Sequence, residues 1–154
     1  MENIHFLILI FVFVAIVLIV YFQFSGNKRE QMIIVNSEGS EVIVNVEIAD
    51  TQLKKMRGLM FRESMPENDG MLFVFGSPGT YSFWMVNTSI PLDAIYFSSD
   101  GQVVDVISME PCGAFNCPTY APKAQAQYVL EVNRGFAEKH GIAAGKSRAK
   151  SIPN

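Results

Sequence analysis

The sequence predicts a small, mostly β domain, an antiparallel β-sandwich or partly closed barrel with two short helices, preceded by one transmembrane helix. Two observations predict it. Seventeen consecutive apolar or aromatic residues run from Phe6 to Phe22. The remainder alternates short apolar segments with turns rich in Gly, Pro, Asn and Asp, a pattern that favours sheet packed on sheet or curled on itself.

The N-terminal run extends from Ile4 to Phe24 when His5 and Gln23 are allowed at its rims. At about 1.5 Å per residue it spans roughly 31 Å, the thickness of a hydrocarbon core. A signal peptide needs a basic n-region and a small-residue cleavage site. Here Glu2 precedes the run with no Lys or Arg, and Gln23-Phe24-Ser25-Gly26-Asn27 offers no good cleavage site. Residues 1–25 are therefore expected to be an uncleaved anchor, 26–31 a short linker, and 32–154 the globular domain. The partner implied is the lipid bilayer, through residues 4–24. Orientation stays open: Lys28 and Arg29 alone would hold the domain in the cytoplasm. Cys112 and Cys117, five positions apart between two prolines, are either a disulfide formed in an oxidising compartment or two reduced thiols.

Within the domain, Met32–Val35 and Val42–Ala49 read as strands around a Ser-Glu-Gly-Ser turn, with Val42, Val44, Val46 and Ile48 on one face. Asp50 or Thr51 offers an N-cap for a short helix over about 51–59. Met71–Phe75 is a solid apolar strand, followed by a Gly76–Gly79 turn and a strand over Tyr81–Met85. Leu92–Ser98 and Gln102–Met109 form a hairpin through Ser99-Asp100-Gly101. Gln127–Val132 is the next strand, Gly135–His140 a short helix stopped by Gly141, and Ser147–Ile152 a last edge strand.

Twelve Lys and Arg against fifteen Asp and Glu give a net charge of -3. That balance carries no basic nucleic-acid footprint, and no nucleic-acid partner is expected. No dinucleotide or phosphate-loop motif occurs, so no cofactor is expected. His5 and His140 are the only histidines, and a Cys-x4-Cys pair lacks zinc-site spacing and partner ligands, so no metal site is expected. A thioether site from Met60, Met71 and Met85 is weighed against gap-filling in the core, and gap-filling is preferred.

Three stretches carry a family resemblance: Lys55-Met-Arg57-Gly58-Leu59-Met60-Phe61-Arg62 with Gly70–Phe75; Phe83-Trp84-Met85-Val86-Asn87 through Pro91-Leu92-Asp93; and Tyr128-Val129-Leu130-Glu131-Val132-Asn133-Arg134-Gly135-Phe136. Over about residues 42–150 the chain resembles the prokaryotic "domain of unknown function 192" family. The resemblance implies a small, mostly β domain, often anchored or exported, with no established activity. Many members have a cysteine pair ahead of a Tyr, which Cys112, Cys117 and Tyr120 match. It implies a domain outside the cytoplasmic membrane, a single-pass protein of the cell membrane. The chain departs from the family at Val86, where a basic residue is usual, and at Leu53 and Lys54, where acids are usual. An anionic-ligand site relying on a charge at position 86 is not expected here.

Arg57, Trp84, Asn87, Asp93 and Glu131 are the ligand-binding candidates. An Arg–carboxylate fork beside an aromatic suits a small polar or sugar-like ligand. The same residues also admit a structural reading, preferred here: Asn87 satisfies turn donors, Asp93 pairs with Arg57, and Trp84 is core. The leading expectation is a membrane-anchored, extracytoplasmic binding or envelope-associated domain. The alternative is a small hydrolase whose catalytic residues are Asp93 and Glu131, as acid and base; no nucleophile–base set accompanies them, and an enzyme is the less expected outcome.

Overall fold

The computed structural model describes residues 8, 10–17, 29–113 and 116–153. Residues 10–17 are helical, and most of the expected span Ile4–Phe24 lies outside the described residues. Among the described residues no helix is long and apolar enough to cross a membrane.

The described chain forms β1 (Arg29–Val35), β2 (Glu41–Ala49), α1 (Gln52–Arg57), β3 (Asp69–Gly79), β4 (Phe83–Trp84), β5 (Leu92–Phe97), β6 (Val103–Met109), β7 (Thr119–Tyr120), β8 (Ala126–Asn133), α2 (Phe136–Lys139) and β9 (Arg148–Ser151). β1 begins three residues earlier than the expected domain start, so Arg29, Glu30 and Gln31 are strand and not linker. β7 falls where only a loop was expected. β3 continues through Gly76–Gly79, read from sequence as a turn, with a register irregularity between Val74 and Gly79.

Seven strands make one sheet in the order β6-β5-β8-β3-β2-β1-β9, while β4 and β7 pair apart from it. All its pairs are antiparallel except β2 with β3, which α1 and its flanking loop connect as a parallel pair. The two ends of the order meet. Ala149 N–H donates to Gly101 C=O at 2.8 Å, Val103 N–H donates to Ser147 C=O at 2.9 Å, and Gln102 bridges Arg148. A curled, partly closed barrel results, not two stacked sheets. Gly101 makes that seam: its φ is +83°, and a Cβ there would lie 3.4 Å from Ala149 O.

Alternation along the strands sorts their side chains into two layers. Met32, Ile34, Val44, Leu72, Ile95, Phe97 and Leu130 fill the barrel interior, which α2 closes with Phe136 and Ala137. Met71, Phe73, Leu92, Tyr96 and Val129 face outward, where Leu59, Met85, Ile90 and Met109 cover them. β3, β5 and β8 are thus apolar on both faces, the burial pattern of central strands. Cys112 and Cys117 form a disulfide with Cα atoms 5.3 Å apart, packed against the outer layer.

Candidate functional site

Glu131 sits mid-strand in β8, opposite Ala94 of β5 and Met71 of β3. Its register sends the side chain to the outer layer, beneath the segment that covers β3. The residue is 4% exposed, and no hydrogen bond or ion pair among the described residues reaches its carboxyl. Burial alone pushes its pKa up to about 8, because a carboxylate there would lose its hydration without gaining a donor. At neutral pH the group is mostly a neutral acid, able both to donate and to accept.

That carboxyl opens into a cavity of about 690 Å³. Aromatic rings make its walls. Phe75 and Tyr81 stack with centroids 3.5 Å apart, and Phe73 meets Phe83 edge-on at 4.9 Å. α1 and the residues after it border the cavity through Met56, Arg57 and Met60. Thr51 caps α1 by accepting from Lys54 N–H at 3.3 Å, and Gly58 ends it at φ +47°. A Cβ at Gly58 would stand 3.4 Å from the Phe73 ring, so this glycine lets the helix end approach the wall. Lys55 crosses from α1 to β3: its Nζ donates to Val74 C=O at 2.6 Å and lies 5.0 Å above the Phe75 ring. Arg57 borders the cavity with its side chain in solvent.

The candidates from sequence divide cleanly. Arg57, Trp84 and Glu131 line this cavity. Trp84 is 57% exposed and therefore wall, not core. Asn87 does not line it; its backbone takes the left-handed region (φ +56°), and its carbonyl accepts from Phe61 N–H at 2.8 Å. Asp93 lies on the opposite face of the sheet. Its Oδ1 accepts from Ser108 Oγ at 2.7 Å and its Oδ2 from Ala137 N–H at 3.1 Å, so it caps α2 from a neighbouring strand. The expected Asp93–Arg57 pair does not form, and Asp93 and Glu131 do not converge as acid and base. The reason is parity: Asp93 pairs with Val132 and Ala94 with Glu131, and successive residues of a strand point to opposite faces.

Sequence reasoning passed over Lys55, Phe75 and Tyr81. A signal existed in Phe73-x-Phe75, whose spacing puts both rings on one face, but the unbroken run Met71–Phe75 hid which face was which. It also passed over a charged cluster beside the start of β1. Glu47, 6% exposed, accepts both Arg62 guanidinium nitrogens at 2.8 and 2.6 Å, and this pairing holds the Arg62 pKa above its ordinary value. Arg29 lies 3.9 Å from Glu47 and 2.6 Å from Asp69, which also accepts from Asn45 at 3.2 Å. Among the described residues no group of three or more His, Cys, Asp or Glu is placed to hold a metal.

A half-closed β barrel with a covered outer layer and one aromatic-walled cavity is the class this geometry defines. Residues 33–148 match the profile of DUF192, described as "Uncharacterized ACR". The chain belongs to that family. It is 31% identical over 135 residues to a UPF0127 protein of Thermococcus kodakarensis, covering 79% of this chain and 80% of that one. It is 28% identical over 116 residues to a UPF0127 protein of Pyrococcus furiosus, covering 71% and 89%. Among solved structures, a protein of unknown function from Novosphingobium aromaticivorans superposes with a TM-score of 0.73 at 28% identity, covering 82% of this chain and 88% of that one. A Sinorhizobium meliloti protein assigned provisionally as a transcription regulator also gives 0.73, at 27% identity, covering 80% and 94%.

Proposed function

We propose that this chain is a membrane-anchored, extracytoplasmic binding domain whose cavity takes a small, polar, ring-bearing ligand of sugar-like chemistry. The apolar run Phe6–Phe22 supports the anchor, and the Cys112–Cys117 disulfide supports an oxidising compartment. The observation that carries the ligand reading is Glu131. A buried carboxyl with no partner is costly, and its cost is offset when a bound hydroxyl supplies the missing hydrogen bonds. The aromatic walls offer faces on which the apolar side of a pyranose ring stacks, and Arg57 at the border suits a ring bearing a carboxylate.

Nothing favours the hydrolase alternative: the two carboxylates it needs lie on opposite faces of one sheet. Binding is measured by the emission of Trp84, the one tryptophan of the chain, titrated with glucose, N-acetylglucosamine and glucuronate. A saturable change is expected with at least one of them, strongest for glucuronate and abolished in Glu131→Ala. No response to any of the three by folded protein, or an unaltered response in Glu131→Ala, sinks the reading.

A further inference from the structure

The cavity is bordered by apolar side chains that nothing in the described chain covers. α1 has no buried residue, and Leu53 and Met56 on it are 76% and 65% exposed. Phe61, just beyond, is 71% exposed and Trp84 is 57% exposed. A six-residue helix gains little stability by itself in water, so its apolar side chains are expected to pack on something. Phe61 also holds a φ of +64°, a conformation that costs a bulky side chain energy, while the residue stays 71% exposed. These residues form one surface. Met56 and Trp84 border the same cavity, Phe61 N–H is bound to Asn87 C=O beside Trp84, and Leu53 is one turn before Arg57 on α1.

The start of β1 lies beside this surface. Arg29 pairs in register with Glu47, and Glu47 is gripped by Arg62, the neighbour of Phe61. β2 ends two residues after Glu47, and α1 begins three residues further on. The chain therefore enters the domain beside this surface. Between Phe24, the end of the apolar run, and Arg29 stand four residues, so the two are at most about 18 Å apart along a fully extended chain. Charge agrees with the position. Residues 50–63 carry Lys54, Lys55, Arg57 and Arg62 against Asp50 and Glu63, although the whole chain is at -3.

We infer that this surface docks on the bilayer that holds the anchor. Leu53, Met56, Phe61 and Trp84 enter its interfacial layer, and Arg57, whose side chain stands in solvent, meets its anionic headgroups, while Lys54 stays paired with Asp50, Lys55 with the Val74 carbonyl and Arg62 with Glu47. Exposed aromatic and aliphatic side chains flanked by Lys and Arg are what an interfacial segment requires. The cavity then opens onto the headgroup layer, which supplies its ligand as the head of a membrane lipid. The inference rests on the anchor proposed above, and its test separates the two.

The full chain is reconstituted into vesicles of phosphatidylcholine and phosphatidylglycerol with brominated acyl chains, and Trp84 emission is read. Docking predicts a blue shift, at least twofold quenching relative to unbrominated lipid, and protection from aqueous iodide. Replacing the phosphatidylglycerol by phosphatidylcholine is expected to weaken the quenching. The doubly substituted Leu53→Ser, Met56→Ser chain, altered only at exposed positions, is expected to melt as the parent does and to lose half or more of the quenching. Trp84 that stays open to iodide in vesicles that retain the chain overturns the docking and leaves the anchor standing. Quenching indifferent to the double substitution overturns it as well. A chain stripped from the vesicles by an alkaline wash overturns the anchor, and the docking with it.

Discussion

Asp93 and Glu131 stand one rung apart on adjacent central strands, and each is almost wholly buried, at 2% and 4% exposure. Their surroundings have nothing else in common. Asp93 faces the barrel side, where a hydroxyl of β6 and the Ala137 N–H in the first turn of α2 both donate to it. Glu131 faces the outer layer, where Phe73, Phe83 and Leu59 border the same cavity and no donor arrives. The difference is one of parity, and it separates the work of the two faces. On the barrel side Asp93 completes its hydrogen bonds and thereby fixes the position of a helix. The outer side leaves one acid incomplete beside an open volume. A folded chain that retains such a group retains a place where something else finishes the hydrogen bonding.

The largest effect that sharpens this contrast is the pH dependence contributed by Glu131. Its folded pKa is raised to about 8, while in the unfolded chain it returns to the ordinary value of 4.5. Between those values the native state binds the proton that the unfolded state has lost, so stability falls as pH rises. The loss begins near pH 4.5, is complete above about pH 8, and amounts to about 5 kcal/mol at 1.36 kcal/mol per unit. Glu131→Gln removes the dependence. In a neutral detergent the variant is expected to melt close to the parent at pH 5 and well above it at pH 9. Parallel melting curves for the two proteins across that range would mean that the carboxyl is not desolvated.

Asp93→Ala tests the other half of the contrast. It leaves the Ser108 hydroxyl and the Ala137 N–H without their acceptor, and a loss of about 2–3 kcal/mol is expected in chemical denaturation. Asp93→Asn keeps one acceptor oxygen and should lose less. Neither change should alter the response of Trp84 to a sugar, because Asp93 lies across the sheet from the cavity. A variant that kept its stability but lost that response would exchange the roles of the two acids.

How much of this could be read beforehand depended on which strands were half-buried. β2 shows its inner face openly, because Val42, Val44 and Val46 alternate with Ile43, Asn45 and Glu47. α2 is legible at both ends from Gly135 and Gly141. β8 gives no such clue. Tyr128–Val132 is apolar apart from Glu131, since both faces of a central strand are covered, and a one-residue slip in register would move Glu131 to the other layer. For the same reason Asp93 looked available to Arg57: pairing across strands depends on a register that local sequence does not contain. Arg57, Trp84 and Glu131 were singled out as an Arg and a carboxylate beside an aromatic, and the three border one cavity. Lys55 was not, because its partner is the carbonyl of Val74, an atom every residue has.

The smallest expected effect concerns how the outer layer is held. The inner layer is pinned by seven paired strands, whereas Trp84 depends on the two-residue strand β4 and its partner β7. β7 follows Cys117 directly after Pro118, and Tyr120 of β7 accepts from Glu110 N–H at 3.2 Å, on the far side of the disulfide loop. Closing a loop of six residues stabilises by about 2 kcal/mol on chain-entropy grounds, and the strain of removing it should fall on β7 and β4 before it reaches the barrel. Thiol labelling of unreduced protein is expected to find neither cysteine free. Mild reduction should then shift Trp84 emission and raise hydrogen exchange at Phe83–Trp84 and Thr119–Tyr120, while Ile95, Leu130 and Val132 keep their protection. Exchange that rose equally in both layers would show that the two faces unfold as one unit, and the division drawn from Asp93 and Glu131 would be chemical without being mechanical.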